Sequence, residues 1–223
     1  MSKKRVLVTG GNTVLGLNIA NALLSEGADV TLLVRDGTQD TLGVLAQKVT
    51  WHVADVWDAA SLRGRGRGHD AVVNTVGSMT QDRAQGLTYH RLNVISARNV
   101  ANMCVSDGVE HMVLLSTARM WWLSPQYIAS KREAEAYVQR LGVPLTVVRA
   151  PLVYARGEAR PLFYHLLSLL GALPVVNLIG LRNIAPMPLD VLARAVARLA
   201  LMRHPKARLH APALRRLAKP KVP

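Results

Sequence analysis

The chain has 223 residues, half of them apolar, with 28 Lys and Arg against 14 Asp and Glu and a net charge of +14. That length and apolar fraction suit one domain with a full core, or one domain plus a small appendage, and exclude a disordered chain. The single cysteine, Cys104, excludes a disulfide framework and reads as a small core residue, and no His/Cys cluster stands at ligand spacing, so no metal site is expected.

The first element is the apolar run Val6-Leu7-Val8-Thr9, followed by Gly10-Gly11-Asn12-Thr13-Val14-Leu15-Gly16 and then by apolar residues at helical spacing from Leu17 to Leu24. Strand, glycine turn and helix in this order bring backbone N–H groups and a helix N-terminus up to a pyrophosphate. Gly10 and Gly16 frame a three-glycine motif whose middle position is Thr13, where a Cβ could crowd the ligand; the alternative is a tight turn beside an empty crevice. Ala28 to Val34 is the second strand, and what ends it bears on the cofactor. Arg35 comes before Asp36, which favours a 2′-phosphate and hence NADP(H) over NAD(H), with a solvated Arg35–Asp36 loop pair as the bland reading.

Val49 to Val53 reads as a third strand ending near Asp55, which lies where a strand edge meets an adenine ring, or else caps a short helix starting at Asp58-Ala59-Ala60-Ser61-Leu62. Arg63 to Gly68 alternates arginine and glycine; a helix-to-strand connector is favoured over an RNA-binding segment. Asp70 to Val76 is a buried strand that leaves Thr75, Val76 and Gly77 at a carboxyl end, where open parallel sheets bind ligands. Leu87 to Val105 is read as one long helix, Glu110 to Ser116 as the fifth strand, Tyr127 to Leu141 as a helix and Leu145 to Arg149 as the sixth strand. Strands alternating with helices predict an α/β fold, a doubly wound parallel sheet of the Rossmann type.

Tyr127 and Lys131 are four apart and share a helix face just after the strand that ends in Ser116-Thr117. An ammonium beside a phenol is expected to lower the phenol's pKa and ready it for proton exchange with a carbonyl or alcohol oxygen. The lysine can also bond a nicotinamide ribose, and Ser116 or Thr117 can orient the reacting oxygen. Trp121 and Trp122 lie in the short gap before Tyr127, where they line an apolar, quinone-like pocket, make a partner or membrane contact, or simply pack the loop.

The segments VLVTGGNTVLG, ADVTLLVR, VADVWDAASL, HDAVVNTVG, LLSTA, YIASKREAE, TVVRAPLVY and MPLDVLARAV span residues 5–200, and in that order the chain resembles the short-chain dehydrogenase/reductases, in their atypical extended branch. The resemblance implies that Gly10, Gly11, Asn12, Thr13, Leu15 and Gly16 form the phosphate turn, Arg35 the 2′-phosphate contact, and Asp55 and Val56 the adenine contact. It implies that Thr75, Val76, Gly77 and Pro151 flank the cofactor, that Tyr127 and Lys131 are the catalytic pair, and that Ser116 is the nearest match to the catalytic serine. Within the branch the chain is similar to two mitochondrial subfamilies: the nucleotide-holding accessory subunit of respiratory complex I, and an atypical reductase associated with coenzyme Q biosynthesis. The short stretch after the sixth strand favours the first, with NADP(H) held for structure on the matrix side of the inner membrane and little or no turnover; an NADP(H)-dependent reductase of an apolar or quinone-like substrate is the alternative.

Three parts are expected: a dinucleotide-binding domain over 1–155, a reduced subdomain over 156–203 and a basic tail over 204–223. Residues 191–223 carry nine Lys and Arg and no acid, and with four prolines after residue 204 the tail is expected to lie on something else. Protein subunits of an assembly, or an anionic lipid surface, suit it best; RNA is a weaker reading and DNA is not expected. Leu162 to Leu181 is the longest apolar stretch but is interrupted by His165, Ser168, Pro174 and Asn177, and reads as an interfacial or buried helix rather than a span. Met1 to Arg5 is basic but too short for an ordinary transit peptide.

Overall fold

The computed structural model describes residues 3–156, 183–203 and 207–219. Among these, seven parallel strands form one sheet: β1 (Arg5–Thr9), β2 (Asp29–Val34), β3 (Thr50–Val53), β4 (Ala71–Asn74), β5 (His111–Thr117), β6 (Leu145–Ala150) and β9 (Arg208–His210). Their order across the sheet is β3-β2-β1-β4-β5-β6-β9, and β7 (Val153–Tyr154) pairs separately with β8 (Met187–Pro188). The chain therefore starts in the middle of the sheet, winds outward through β2 and β3, and returns to β4 on the other side of β1. That reversal between β1 and β4 opens a crevice at the carboxyl ends of the strands.

Strand periodicity divides the core into two layers. Val6, Val8, Val30, Leu32, Val73, Val113 and Leu115 point to one face, which is covered by α1 (Val14–Ser25), α4 (Leu189–Ala200) and α5 (Ala211–Leu217). Leu7, Leu33, Val72, Met112 and Leu114 point to the other, under α2 (Ser96–Asp107) and α3 (Pro125–Arg140), where Cys104 is fully buried. Strands buried on both faces are what helices on both faces require, and every residue of β5 is buried.

Several sequence expectations change. Asp58 to Leu62 is a series of turns rather than a helix. The Arg/Gly connector continues those turns and is held to the end of α2, with the Gly66 N–H donating to Asp107 Oδ2 at 2.8 Å and Arg67 within 3.6 Å of the same carboxylate. The helix expected from Leu87 begins later: Leu87 bridges Asp82, a π-helical turn spans His90–Ile95, and regular α2 starts at Ser96. The largest correction concerns the C-terminal segment. Residues 208–217 join the fold: β9 pairs in parallel with β6, and Leu209, Ala211 and Leu214 enter the core. Arginines of this acid-free stretch find carboxylates from outside it and backbone carbonyls as well: Arg198 Nε donates to Glu26 Oε1 at 2.5 Å and Nη1 to Leu217 O, while Arg215 Nη2 donates to Ala185 O and Pro186 O. No helix among the described residues is long and apolar enough to cross a membrane, and Leu162 to Leu181 lies outside the described residues.

Candidate active site

The glycine turn is built from contacts that only hydrogen in place of a side chain permits at two positions. Gly10 has φ +70°, and a Cβ there would meet Thr75 Oγ1 at 2.7 Å; a Cβ on Gly16 would collide with the Gly10 carbonyl. Thr13 has a structural role in the turn. It is the N-cap of α1, its Oγ1 accepting from the Gly16 N–H at 3.0 Å and donating to Gly10 O at 2.8 Å. The hydroxyl is thereby turned into the turn, and the N–H groups of Asn12, Val14 and Leu15 are left without a partner among the described residues. Unpaired donors at a helix N-terminus are what a diphosphate requires. Gly11 serves packing instead: it is buried, and its Cβ position is taken by Leu32.

Above this turn lies a cavity of about 230 Å³ lined by Gly10, Asn12, Thr13, Arg35, Asp55, Val56, Trp57, Val76 and Gly77. Arg35 reaches it from the carboxyl end of β2. Asp36 is engaged with its own loop, its Oδ1 accepting from the Gly37 N–H and from Gln39 Nε2. Asp55 lines the same cavity while its Oδ1 accepts from the Trp57 N–H at 2.8 Å. Trp57 is a wall of the seat that sequence reasoning missed, with the Arg91 guanidinium 5.7 Å from its ring.

Gly77 also lines a second cavity of about 410 Å³, which holds Thr75, Ser116, Thr117, Tyr127, Lys131 and Pro151, with Leu15, Met79, Met120, Leu152, Val153 and Leu192 as apolar wall. The Tyr127–Lys131 pair is therefore brought to the crevice by the register of α3 on β5. Lys131 Nζ donates to Leu115 O at 3.3 Å, and its tip occupies the place a side chain on Gly77 would need. Burial lowers the Lys131 pKa to about 8, against which the Glu135 carboxylate acts.

Two expectations about the pair are corrected. The Tyr127 pKa is not lowered but raised to about 12, because burial outweighs the opposing hydrogen bond from Thr117 and the charge of Arg132; Tyr89, whose ring centroid is 5.7 Å away, adds to the rise. Of the two hydroxyls at the end of β5, the one that favours the Tyr127 phenolate is that of Thr117, which donates to Ala118 O at 3.1 Å, and not that of Ser116. Adjacent strand residues point to opposite faces, and Ser116 donates its Oγ–H to Glu135 Oε1 at 2.5 Å. Ser116 thus borders the cavity with its proton committed elsewhere.

Asn93 is the second residue that sequence reasoning missed. It sits in the π-helical turn, 1% exposed, where its Oδ1 accepts from the Ser78 N–H and its Nδ2 donates to Ser78 O and Ser130 Oγ. It ties the loop after β4 to α3. An amide flanked by Leu92 and Val94 in an apolar helical run was the available signal, and π-helical turns concentrate at functional positions. Trp121 is 72% exposed and meets Trp122 edge-on at 4.4 Å, while Trp122 packs with Ala118, Met120, Leu152 and Ile184 behind the second cavity.

Comparison with known proteins agrees with this geometry. The chain is 28% identical over 165 residues to an uncharacterized chloroplastic protein of Arabidopsis thaliana, covering 70% of this chain and 53% of that one. It is 25% identical over 174 residues to the ceramide reductase of Caulobacter vibrioides, covering 77% and 54%. The chain thus spans about half the length of these relatives. Among solved structures, the Bordetella bronchiseptica enzyme WbmG in complex with NAD superposes with a TM-score of 0.69 at 21% identity, over 94% of this chain and 73% of that one. A family model described as NAD(P)H-binding matches residues 10–161, which include the glycine turn, Tyr127 and Lys131. The chain belongs to this NAD(P)H-binding family and carries its site on a Rossmann-type parallel sheet.

Proposed function

We propose that the chain is an NADP(H)-dependent reductase of the short-chain type, acting on a carbonyl carried by an apolar, lipid-like or quinone-like molecule. The observation that carries this reading is the second cavity: Tyr127, Thr117 and Lys131 lie together in it, its walls are largely hydrocarbon, and it shares Gly77 with the nucleotide-sized cavity. The ceramide reductase relative supports a reductive reaction on a lipid.

When bound, the reduced nicotinamide supplies the hydride that goes to the carbonyl carbon. The residues supply the rest. The free N–H groups at the start of α1 hold the diphosphate, and Arg35 meets a 2′-phosphate while Asp36 stays in its loop. Tyr127, with a pKa near 12, is a neutral phenol at physiological pH and holds a proton for the carbonyl oxygen. Thr117 and Arg132 both act to favour the phenolate left behind, which regains its proton from solvent. Lys131, fixed by Leu115 O, presents a cation beside Gly77 for the ribose edge of the cofactor.

The test is NADPH oxidation by the purified chain with phenanthrenequinone and with a long-chain methyl ketone as acceptors. Tyr127→Phe is expected to lower kcat by about a hundredfold or more while NADPH affinity changes by less than about threefold. Tight NADPH binding without turnover on either acceptor would defeat the reductase reading. That outcome is what a nucleotide-holding subunit of a larger assembly would give.

A further inference from the structure

One cluster behind the site enters the chemistry above only through the charge of Arg132. Glu135 is two helical turns beyond Tyr127 on the same face of α3, 4% exposed, and its carboxylate gathers three partners from three elements. Arg149 of β6 grips it with two nitrogens, Nε at 3.1 Å and Nη2 at 2.6 Å. Ser116 of β5 donates its hydroxyl to Oε1, and Arg132 of α3 donates Nη1 to the same oxygen. Arg132 then reaches further than the pair requires: Nη1 lies 3.1 Å from Ser116 Oγ, and Nη2 donates to Thr117 O at 2.8 Å.

A planar guanidinium is suited to this, since its donors leave in fixed directions and can satisfy two acceptors on one strand at once. The two acceptors are the side chain of Ser116 and the carbonyl of the next residue, at the point where β5 ends. Beyond Ala150, β6 gives no further ladder bond to β5: the last is from the Ala118 N–H to Ala150 O at 2.8 Å. The peptide that follows Thr117 is thus held on both sides, its N–H by Ala150 O and its carbonyl by Arg132 Nη2, while the Thr117 hydroxyl donates to Ala118 O at 3.1 Å. Resting on the reductase reading, we propose that Arg132, held by Glu135, is a positioning residue that keeps the Thr117 hydroxyl facing Tyr127.

Arg132→Met removes the clamp and leaves Glu135 paired with Arg149. With phenanthrenequinone as acceptor, kcat is expected to fall about tenfold with little change in KM or in NADPH affinity. The deciding measurement is a double-mutant cycle with Thr117→Ala: once the Thr117 hydroxyl is gone, removing Arg132 should cost less than about twofold. Equal losses in both backgrounds, or a rise in KM alone, would overturn the proposal. Arg132→Lys supplies a second variant that keeps the charge beside Glu135 but lacks the rigid two-nitrogen fork that spans both acceptors, and full activity in it would also overturn the proposal. A readout without turnover separates this idea from the reductase reading. Three-bond couplings to the Thr117 methyl carbon should report one side-chain rotamer in the parent and averaged rotamers in either variant. Unchanged couplings would refute the clamp whether or not any acceptor is reduced.

Discussion

The proposed preference for NADP(H) rests on a single residue, Arg35. It lines the nucleotide cavity from the end of β2, and the neighbouring carboxylate that would favour a free ribose is bonded within its own loop. A guanidinium and a phosphate make strong charge-assisted hydrogen bonds, so Arg35→Asp is expected to weaken NADPH binding at least about tenfold while NADH binding holds or improves. Titration of both nucleotides against nucleotide fluorescence checks this, and equal losses for the two would refute the assignment. At the same scale the sequence left Ser116 and Thr117 unresolved. Neighbours in a strand point to opposite faces, but which face looks into the crevice depends on how β5 registers against α3, and no local pattern carries that information.

At the scale of elements, the glycine turn and its flanking strand and helix were legible because steric demand leaves a residue-level trace. The parallel strands were legible as continuous apolar runs. Other features left no such trace. One extra residue in the turn at His90–Ile95 does not disturb an apolar helical pattern enough to be seen. The C-terminal unit was hidden for a different reason. Its apolar content is a few residues, Leu209, Ala211 and Leu214, set among arginines and prolines, and β9 is three residues long. Such a short strand is specified by the open edge of β6 rather than by its own propensity. Leu214 is fully buried among the residues packing α5 on the sheet. Leu214→Ala is accordingly expected to cost about 2–5 kcal/mol in urea denaturation, with no direct effect on the crevice. A loss below about 1 kcal/mol would mean that the C-terminal unit adds little to the fold.

For the whole molecule, the candidate site sits on one edge of one sheet. The turn after β1, Arg35 after β2, Asp55 after β3, Gly77 after β4, Thr117 at the end of β5 and Pro151 after β6 all fall at carboxyl ends. A parallel sheet makes this automatic, which is why six segments far apart in sequence were readable together as one site. The net charge of +14 was less readable. Composition counts cations without showing that two of them, Arg198 and Arg215, bond backbone carbonyls within the fold. Cys104 offers a different use of the same architecture. It is the one sulfhydryl in the chain, 0% exposed between α2 and the sheet, with burial holding its pKa near 12. An alkylating reagent should therefore leave it untouched until the helix layer parts from the strands, so that the modification rate measures that opening directly. Adding NADPH should slow the modification as the free nucleotide concentration rises above its Kd, where the opening that exposes the thiol also releases the nucleotide, which turns an inert atom into a gauge of occupancy.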